Sequence, residues 1–295
     1  MKYFVSKESR IINGNIQIPG SKSISNRVLI INALNFNPHP VKNLSCSDDT
    51  KVLEAALFSN RNKFNIGHAG TAMRFLAAFL SGIAGEWEVT GSERMKQRPV
   101  AILVDALRQL GAKVKYLERE GYPPLKIYGS HLQGKTLEMD GSVSSQYVSA
   151  LVMIARVTEN GLELKLKGTV TSRSYIELTL NLMKQFGIRY QWKGNVITVP
   201  EQEYLPLEYT VEADWSGASY WYETAALAGE SNIFLQNLKI NSLQGDSVIA
   251  KWFESFGVIS EQKRDGVLLL KSRDQFPEKL EMDFIENPDM AQTMA

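Results

Sequence analysis

Apolar positions along the chain follow two helical patterns that alternate. The first is one-sided. Ala101-Ile102-Leu103-Val104-Asp105-Ala106-Leu107-Arg108-Gln109-Leu110-Gly111 predicts an amphipathic helix with a glycine stop, and strands follow at Lys113 to Leu117 and Leu125 to Tyr128. The same grammar returns at Ile176 to Gly187, with strands Arg189 to Gln191 and Val196 to Val199 around the turn Lys193-Gly194-Asn195. It returns again at Val248 to Gly257, with strands Val258 to Glu261 and Val267 to Leu270 around Arg264-Asp265-Gly266. The stops Gly111, Gly187 and Gly257 are about 70 to 76 residues apart, the spacing of a repeated supersecondary unit.

The second pattern is apolar nearly all round. It covers Thr71 to Leu80, Gln146 to Ala155 and Ala218 to Leu227, segments too short to span a bilayer and therefore predicted as interior helices. Each follows small or polar residues: His68-Ala69-Gly70, Ser142-Val143-Ser144-Ser145, and Asp214-Trp215-Ser216-Gly217. The unit is strand, inner helix, strand, outer helix, strand, strand, which sets an α/β fold class. Near the N-terminus, Asn15 to Ile18 reads as a strand and Pro19-Gly20 as a turn. A helix follows with Ser21, Lys22, Ser23, Ser25, Asn26 and Arg27 at its start and Val28 to Leu34 behind them. Helix starts carry unpaired N–H groups and the positive end of the dipole, so neighbouring starts are expected to form a shared anion cradle.

Composition narrows the ligand. Lys plus Arg number 33 and Asp plus Glu 32, so the chain lacks the basic excess of a nucleic-acid or membrane-surface protein. An anion site must be a local concentration of charge. The one cysteine, Cys46, allows no internal disulfide and points to a reducing cytoplasm. No signal-length apolar run opens the chain, and His39, His68 and His131 are too scattered for a zinc site.

Four clusters at unit boundaries concentrate the chemistry. Gly20-Ser21-Lys22-Ser23-Ile24-Ser25-Asn26-Arg27 combines hydroxyls with two cations, and it lacks the glycine spacing of a Walker loop. Gly67-His68-Ala69-Gly70-Thr71-Ala72-Met73-Arg74 allows a tight turn or backbone N–H groups presented to an anion. Glu93-Arg94-Met95-Lys96-Gln97-Arg98-Pro99 holds three cations, and Pro99 is expected at the first position of the outer helix, fixing Arg98. Ser142, Ser144, Ser145 and Gln146 exceed what one helix cap needs. Thr171-Ser172-Arg173-Ser174-Tyr175 repeats the theme. A small polyanion with phosphate and carboxylate groups fits these side chains.

With the clusters assembled, the chain resembles the 5-enolpyruvylshikimate-3-phosphate synthase family. The matching stretches are Gly20 to Arg27, Ala69 to Arg74, Arg94 to Pro99, Asp140 to Tyr147 and Asn287 to Ala291, in the family's order. The resemblance implies an enolpyruvyltransferase-type inverse α/β fold of βαβαββ units in two domains. Residues 21–212 would form a complete three-unit domain. Residues 1–20 with 213–295 would form a partial one, holding one unit and the start of the next. It implies transfer of the enolpyruvyl group of phosphoenolpyruvate to the 5-hydroxyl of shikimate 3-phosphate, with loss of phosphate and without metal or cofactor.

By the same resemblance, Lys22, Ser23 and Arg27 would hold shikimate 3-phosphate, with Lys22 also reaching phosphoenolpyruvate. Ser144, Ser145 and Ser172 would hold the 3-phosphate, Tyr175 would lie beside the ring, and Gly70, Arg98 and Gln146 would face phosphoenolpyruvate. Gln146 would also contact shikimate 3-phosphate. Asp289 would be the catalytic base, with Lys22 the other catalytic residue. A cytoplasmic protein, monomeric when full length, is implied, with no nucleic-acid or membrane partner.

The chain departs from the family pattern at His68, where Asn is usual, and at Phe75, where Pro is common. Asn287 to Ala295 reads as the opening of a fourth inner helix with no outer helix after it, so the expectation is a piece of a longer protein. The family's later Lys-Glu-Thr-Asp-Arg and Asp-His-Arg segments and its final Lys are not in the sequence. Weak binding of shikimate 3-phosphate and little or no turnover are expected for this chain. Two other readings stay open: a UDP-N-acetylglucosamine enolpyruvyltransferase, against which Ser23, Ser25 and the position of Cys46 speak, and a non-catalytic binding module for phosphate compounds.

Overall fold

The computed structural model describes residues 4, 9–272 and 274–295. The chain divides into two compact units, Lys22–Val211 and Met1–Ser21 with Glu212–Ala295. No helix among the described residues is long and apolar enough to cross a membrane.

Within Lys22–Val211 the repeat read from the glycine stops is present as two four-stranded sheets of identical plan. One runs Lys63–Asn65, Glu86–Thr90, Leu125–Tyr128, Lys113–Tyr116 in spatial order. The other runs Thr136–Asp140, Leu162–Lys167, Val196–Val199, Gln191–Lys193. In each, the first two strands are parallel and the last three antiparallel. A parallel pair cannot be closed by a tight turn, so an inner helix bridges it: Gly70–Ser81 in one, Ser145–Ile154 in the other. The outer helices Ala101–Gln109 and Arg173–Gln185 lead back to the hairpins. A third helix pair, Lys22–Leu34 and Asp48–Leu57, goes with only two short parallel strands, Val41–Lys42 and Tyr209–Thr210. Of the three units expected here, two carry the four-stranded plan, and the third helix pair has no antiparallel hairpin of its own among the described residues.

The inner helices are buried through burial of nearly every side, as their all-round apolar sequence requires. Eleven of the twelve residues of Gly70–Ser81 are buried. Helices Lys22–Leu34, Gly70–Ser81 and Ser145–Ile154 pack on one another. The stops behave as glycine chemistry demands: Gly111, Gly187 and Gly257 have φ of +95°, +89° and +77°, where a Cβ would be strained.

Several boundaries differ from the sequence expectation. Pro99 does not open the outer helix; Val100 is its N-cap, and Glu93–Lys96 forms a separate short helix capped by Ser92. Arg98 is held instead by its backbone N–H donating to Met95 O at 3.0 Å. Helix Asp48–Leu57 is one that the periodicity did not announce; Ser47 caps it and Asp48 and Asp49 sit favourably in its first turn. Hairpin strand Gln191–Lys193 begins two residues later than expected.

The other unit carries a third sheet of the same plan: Ile11–Gln17, Glu230–Gln236, Gly266–Lys271, Ile259–Lys263. The first strand, seven residues long, pairs in parallel with Glu230–Gln236 and starts well before the expected Asn15. Helix Trp215–Leu227 is capped by Asp214, whose Oδ1 accepts from Gly217 N at 2.9 Å. It is not buried all round: Trp215, Ala218, Tyr222 and Ala225 face the core, while Tyr220 and Leu227 are exposed. The expected outer helix Val248 to Gly257 breaks into the 3₁₀ turn Gly245–Val248, helix Ile249–Trp252 and the 3₁₀ turn Phe253–Phe256. A 3₁₀ turn eclipses residues three apart, and the rings of Phe253 and Phe256 lie 5.4 Å apart. Pro288–Met290 and Ala291–Met294 follow, anchored by fully buried Met290 and by Thr293, whose hydroxyl lies 2.7 Å from that of Ser219.

Candidate active site

Every residue expected at the site except Asp289 lies in the unit Lys22–Val211. Lys22 opens its helix and is exposed; Ser23 beside it is half-buried. Arg27, one turn further in, is buried and spans three helices. Its Nε donates to Thr179 Oγ1 at 2.6 Å, Nη1 to Ser23 O at 2.8 Å, and Nη2 to Ser149 Oγ and Tyr175 O, both at 3.3 Å. Its guanidinium also sits 5.6 Å from the centre of the Phe75 ring. Four of the five N–H groups of a guanidinium are thereby used by the described residues. Burial pushes the Arg27 pKa down to about 10, the Tyr175 phenol acting weakly the other way. Arg27 is therefore first a structural tie between helices. Its hydroxyl partners Ser149 and Thr179 were not foreseen.

A second group meets at the start of helix Gly70–Ser81. Ala69 provides no side-chain cap for that start. Arg74, four residues on, donates through Nη1 to Gly70 O at 2.8 Å and to Gln146 Oε1 at 3.0 Å. Its guanidinium faces the Tyr147 ring at 5.2 Å, and the Tyr147 hydroxyl donates to Pro99 O at 2.7 Å. The Arg98 guanidinium lies against the Gly70 Cα. A Cβ at residue 70 would overlap it and come within 2.8 Å of Arg74 Nη1. Burial, then the like charge of Arg74, lowers the Arg98 pKa. The Arg74 Nε is buried with no hydrogen-bond partner among the described residues. Two guanidinium groups thus meet at one corner, neither in an ion pair with a carboxylate among the described residues, an arrangement whose chemistry favours an anion. Arg74 stood inside a matching motif without a role; its signal is an arginine at i+4 from Gly70 on an otherwise apolar helix.

The serines divide. The Ser144 hydroxyl caps helix Ser145–Ile154 by accepting from Gln146 N at 3.4 Å, and Ser145 is buried behind it. Ser142 is turned to Asp140, donating to Oδ1 through both N and Oγ. Ser172 precedes helix Arg173–Gln185 at φ +51°, a left-handed conformation uncommon for serine, and its side chain makes no cap. Tyr175 is half-buried and its carbonyl accepts from Arg27 and Thr179. Arg173 leaves the expected hydroxyl-plus-cation theme: it pairs with Glu177 at 2.9 Å and stacks over Trp192. Lys96 is likewise structural, bonded to Glu118 at 2.8 Å, which raises its pKa.

His68, at the turn before Gly70, places Nδ1 2.7 Å from Ser92 Oγ. In the other unit, exposed Asp289 occupies the turn Pro288–Met290. The neighbouring Asn287 Nδ2 donates to buried Asp246 Oδ1 at 3.2 Å, and Ser216 Oγ donates to Asp246 Oδ2 at 2.6 Å. Burial raises the Asp246 pKa, and the charges of Asp289 and Asp214 add to the rise. An apolar cavity of about 530 Å³, lined by Phe36, Phe58 and Phe79 among others, shares none of these site side chains.

Comparison with known proteins identifies the family of the chain. The family model described as EPSP synthase (3-phosphoshikimate 1-carboxyvinyltransferase) matches residues 6–59 and 52–294. The 3-phosphoshikimate 1-carboxyvinyltransferase of Bacteroides fragilis (strain YCH46) is 49% identical over 294 residues, covering 99% of this chain and 71% of that protein. The enzyme of the same name from Vibrio atlanticus (strain LGP32) is 38% identical over 313 residues, covering 96% and 72%. Neither carries the UDP-N-acetylglucosamine name, and that reading is not favoured. A solved EPSP synthase from Acinetobacter baumannii superposes with a TM-score of 0.79 at 20% identity, covering 96% of this chain and 69% of that one, a likeness of fold. With a family match across nearly all its residues and 49% identity over 99% of its length, the chain belongs to the EPSP synthase family.

Proposed function

We propose that the chain carries the site for transfer of the carboxyvinyl group of phosphoenolpyruvate to the 5-hydroxyl of shikimate 3-phosphate. The hydroxyl oxygen bonds to C2 of phosphoenolpyruvate while C3 takes a proton. The C2–O bond to phosphate then breaks and the C3 proton is lost, restoring the double bond. The observation that carries this reading is the corner formed by Gly70, Arg74 and Arg98: two guanidinium groups beside a helix start whose N-cap Ala69 makes no side-chain cap. Such a corner favours phosphate and carboxylate, and it stabilises the charge that develops on departing phosphate.

In this reading Lys22, Arg98, Gln146 and the Gly70 backbone receive phosphoenolpyruvate, and Arg74 fixes Gln146. Ser144, Ser145, Gln146 and Ser172 receive shikimate 3-phosphate with Lys22, Ser23 and Tyr175. Arg27 contributes chiefly by holding the helix that bears Lys22. Asp289 accepts the hydroxyl proton, as a carboxylate within reach of a hydroxyl can. The near balance of 33 basic and 32 acidic residues and the single cysteine support a cytoplasmic protein acting on small molecules rather than nucleic acid, and the family resemblance adds the expectation of a monomer when full length. Calorimetry with shikimate 3-phosphate tests the reading. Saturable binding that is lost in Lys22→Ala and in Ser145→Ala is expected; equal affinity in all three proteins would remove the site from these residues.

A further inference from the structure

The repeat leaves one place uncovered. In each complete unit the strand after the inner helix pairs with a hairpin, but Val41–Lys42 pairs only with Tyr209–Thr210 among the described residues. Beside it lies the apolar cavity of about 530 Å³, which Val41 helps to line. The last turns of helices Lys22–Leu34 and Asp48–Leu57 line it through Ala33 and Leu57. Phe79 lines it from a third helix, and it is the one residue of Gly70–Ser81 that is not buried.

Two more aromatic residues line the cavity from outside the core: Phe36 is 83% exposed and Phe58 79%. Phe36 follows helix Lys22–Leu34 at φ +49°, where Asn37 N donates to Asn32 O at 3.1 Å and Phe36 N to Ala33 O at 3.4 Å. Glycine is the usual residue at the left-handed position of such a helix ending, and a Cβ there is strained. A large apolar side chain that is both exposed and strained adds little to the fold, and contact with a ligand accounts for it.

The polar side chains of the cavity are few and mostly committed. Asn32 Nδ2 donates to His39 O at 3.2 Å, and Asn37 Nδ2 donates to Asn32 Oδ1 at 3.0 Å and to Leu207 O at 2.8 Å. His39 is exposed at the rim. Glu54 differs from these. It is half-buried on the apolar wall, and its carboxylate makes no ion pair among the described residues. Neither helix carries a basic residue in its last turn, so no side chain of their own offsets the negative ends of the two dipoles. A half-buried carboxylate, two helix C-termini and three phenylalanine rings suit a cation with an apolar body, and the cavity has the volume of a small-molecule site.

We propose that this cavity binds a small organic ammonium with an aromatic body, whose charge meets Glu54 and whose ring packs among Phe36, Phe58 and Phe79. The site is separate from the corner of Gly70, Arg74 and Arg98. Helix Lys22–Leu34 has Lys22 at one end and this cavity at the other, about 20 Å apart along its 13 residues.

The probe is 2-phenylethylammonium, and 2-phenylethanol is its neutral counterpart of similar shape. Calorimetric titration of the whole chain with each compound reads the site. The ammonium is expected to bind saturably, about fivefold or more tighter than the alcohol. Glu54→Gln keeps the size of the side chain and removes its charge, so the two affinities should converge. Phe58→Ala should weaken binding of the ammonium about fivefold or more. Phe36→Gly should do the same while its thermal midpoint stays level or rises, because glycine suits the left-handed backbone. Equal thermal midpoints in the other two variants verify their folding. Equal wild-type affinity for ammonium and alcohol, the full preference retained in Glu54→Gln, unchanged affinity in Phe36→Gly or Phe58→Ala, or no binding of the ammonium by the wild type would each overturn the proposal.

Discussion

Arg74 Nη1 donates to Gln146 Oε1 at 3.0 Å, across 72 positions of sequence, and so locks the amide of one inner-helix start to the guanidinium of another. The same Nη1 donates to Gly70 O at 2.8 Å. One arginine therefore sets the spacing of the two helix starts that the proposed function needs. Arg74→Lys keeps a charge but loses the fork. A charge-assisted hydrogen bond contributes about 1.5–3 kcal/mol. Affinity for phosphoenolpyruvate in the presence of shikimate 3-phosphate should fall about tenfold or more, read by calorimetry. An unchanged affinity would detach Arg74 from the site.

Gly70→Ala is expected to act through Arg98. The added Cβ has no room beside the Arg98 guanidinium, which must turn away from the corner. Helical backbone at this position suits alanine, so the thermal midpoint should move little while sulfate affinity drops about tenfold. A large loss of stability with intact anion binding would contradict this.

Arg27 tests the structural tie. Arg27→Met removes four hydrogen bonds and leaves the hydroxyls of Ser149 and Thr179 to satisfy each other at 2.8 Å. The carbonyls of Ser23 and Tyr175 each lose one donor in a part-buried setting, Tyr175 O keeping the Thr179 hydroxyl. Urea unfolding should show a loss of about 2–4 kcal/mol, the range for breaking a buried charged network. A loss under about 0.5 kcal/mol would mean that Arg27 is not a tie.

Asp246 makes a pH prediction. Burial raises its pKa in the folded state above the unfolded value. The folded form then binds more protons, so this stabilising contribution is complete below the unfolded carboxylate pKa near 4 and is lost as pH rises through the folded value. Asp246→Asn keeps an acceptor for Ser216 and removes the titration. Thermal midpoints measured from pH 4 upward should fall less steeply with pH in the variant than in the wild type; parallel curves would exclude Asp246 as the source.

The repeat was legible because it is local. Apolar periodicity and glycine stops lie within single elements, and Leu125–Tyr128 and Val196–Val199 fall where the pattern puts them. Local signals also fixed the polar helix starts, though not which cation turns inward. Arg27 reaches Thr179 across 152 positions, and nothing in the neighbourhood of either residue announces the other. Arg173 was equally suggestive in sequence, yet a glutamate one turn away and a stacked Trp192 hold it at the surface. Ser172 owes its left-handed backbone to its surroundings rather than to its type. Helix Asp48–Leu57 was readable from Ser47, Asp48 and Asp49, but its weakly apolar face hid it beside the cysteine. The third outer helix failed because aromatic packing, not propensity, decides its turns.

The central claim is that the corner of Gly70, Arg74 and Arg98 receives the carboxyvinyl donor. The direct measurement is the affinity of this chain for phosphoenolpyruvate at saturating shikimate 3-phosphate, wild type against Arg98→Gln. Saturable binding in the wild type, weakened at least about tenfold in the variant, is the expected result. Equal binding by the two proteins, or none by the wild type, would contradict it.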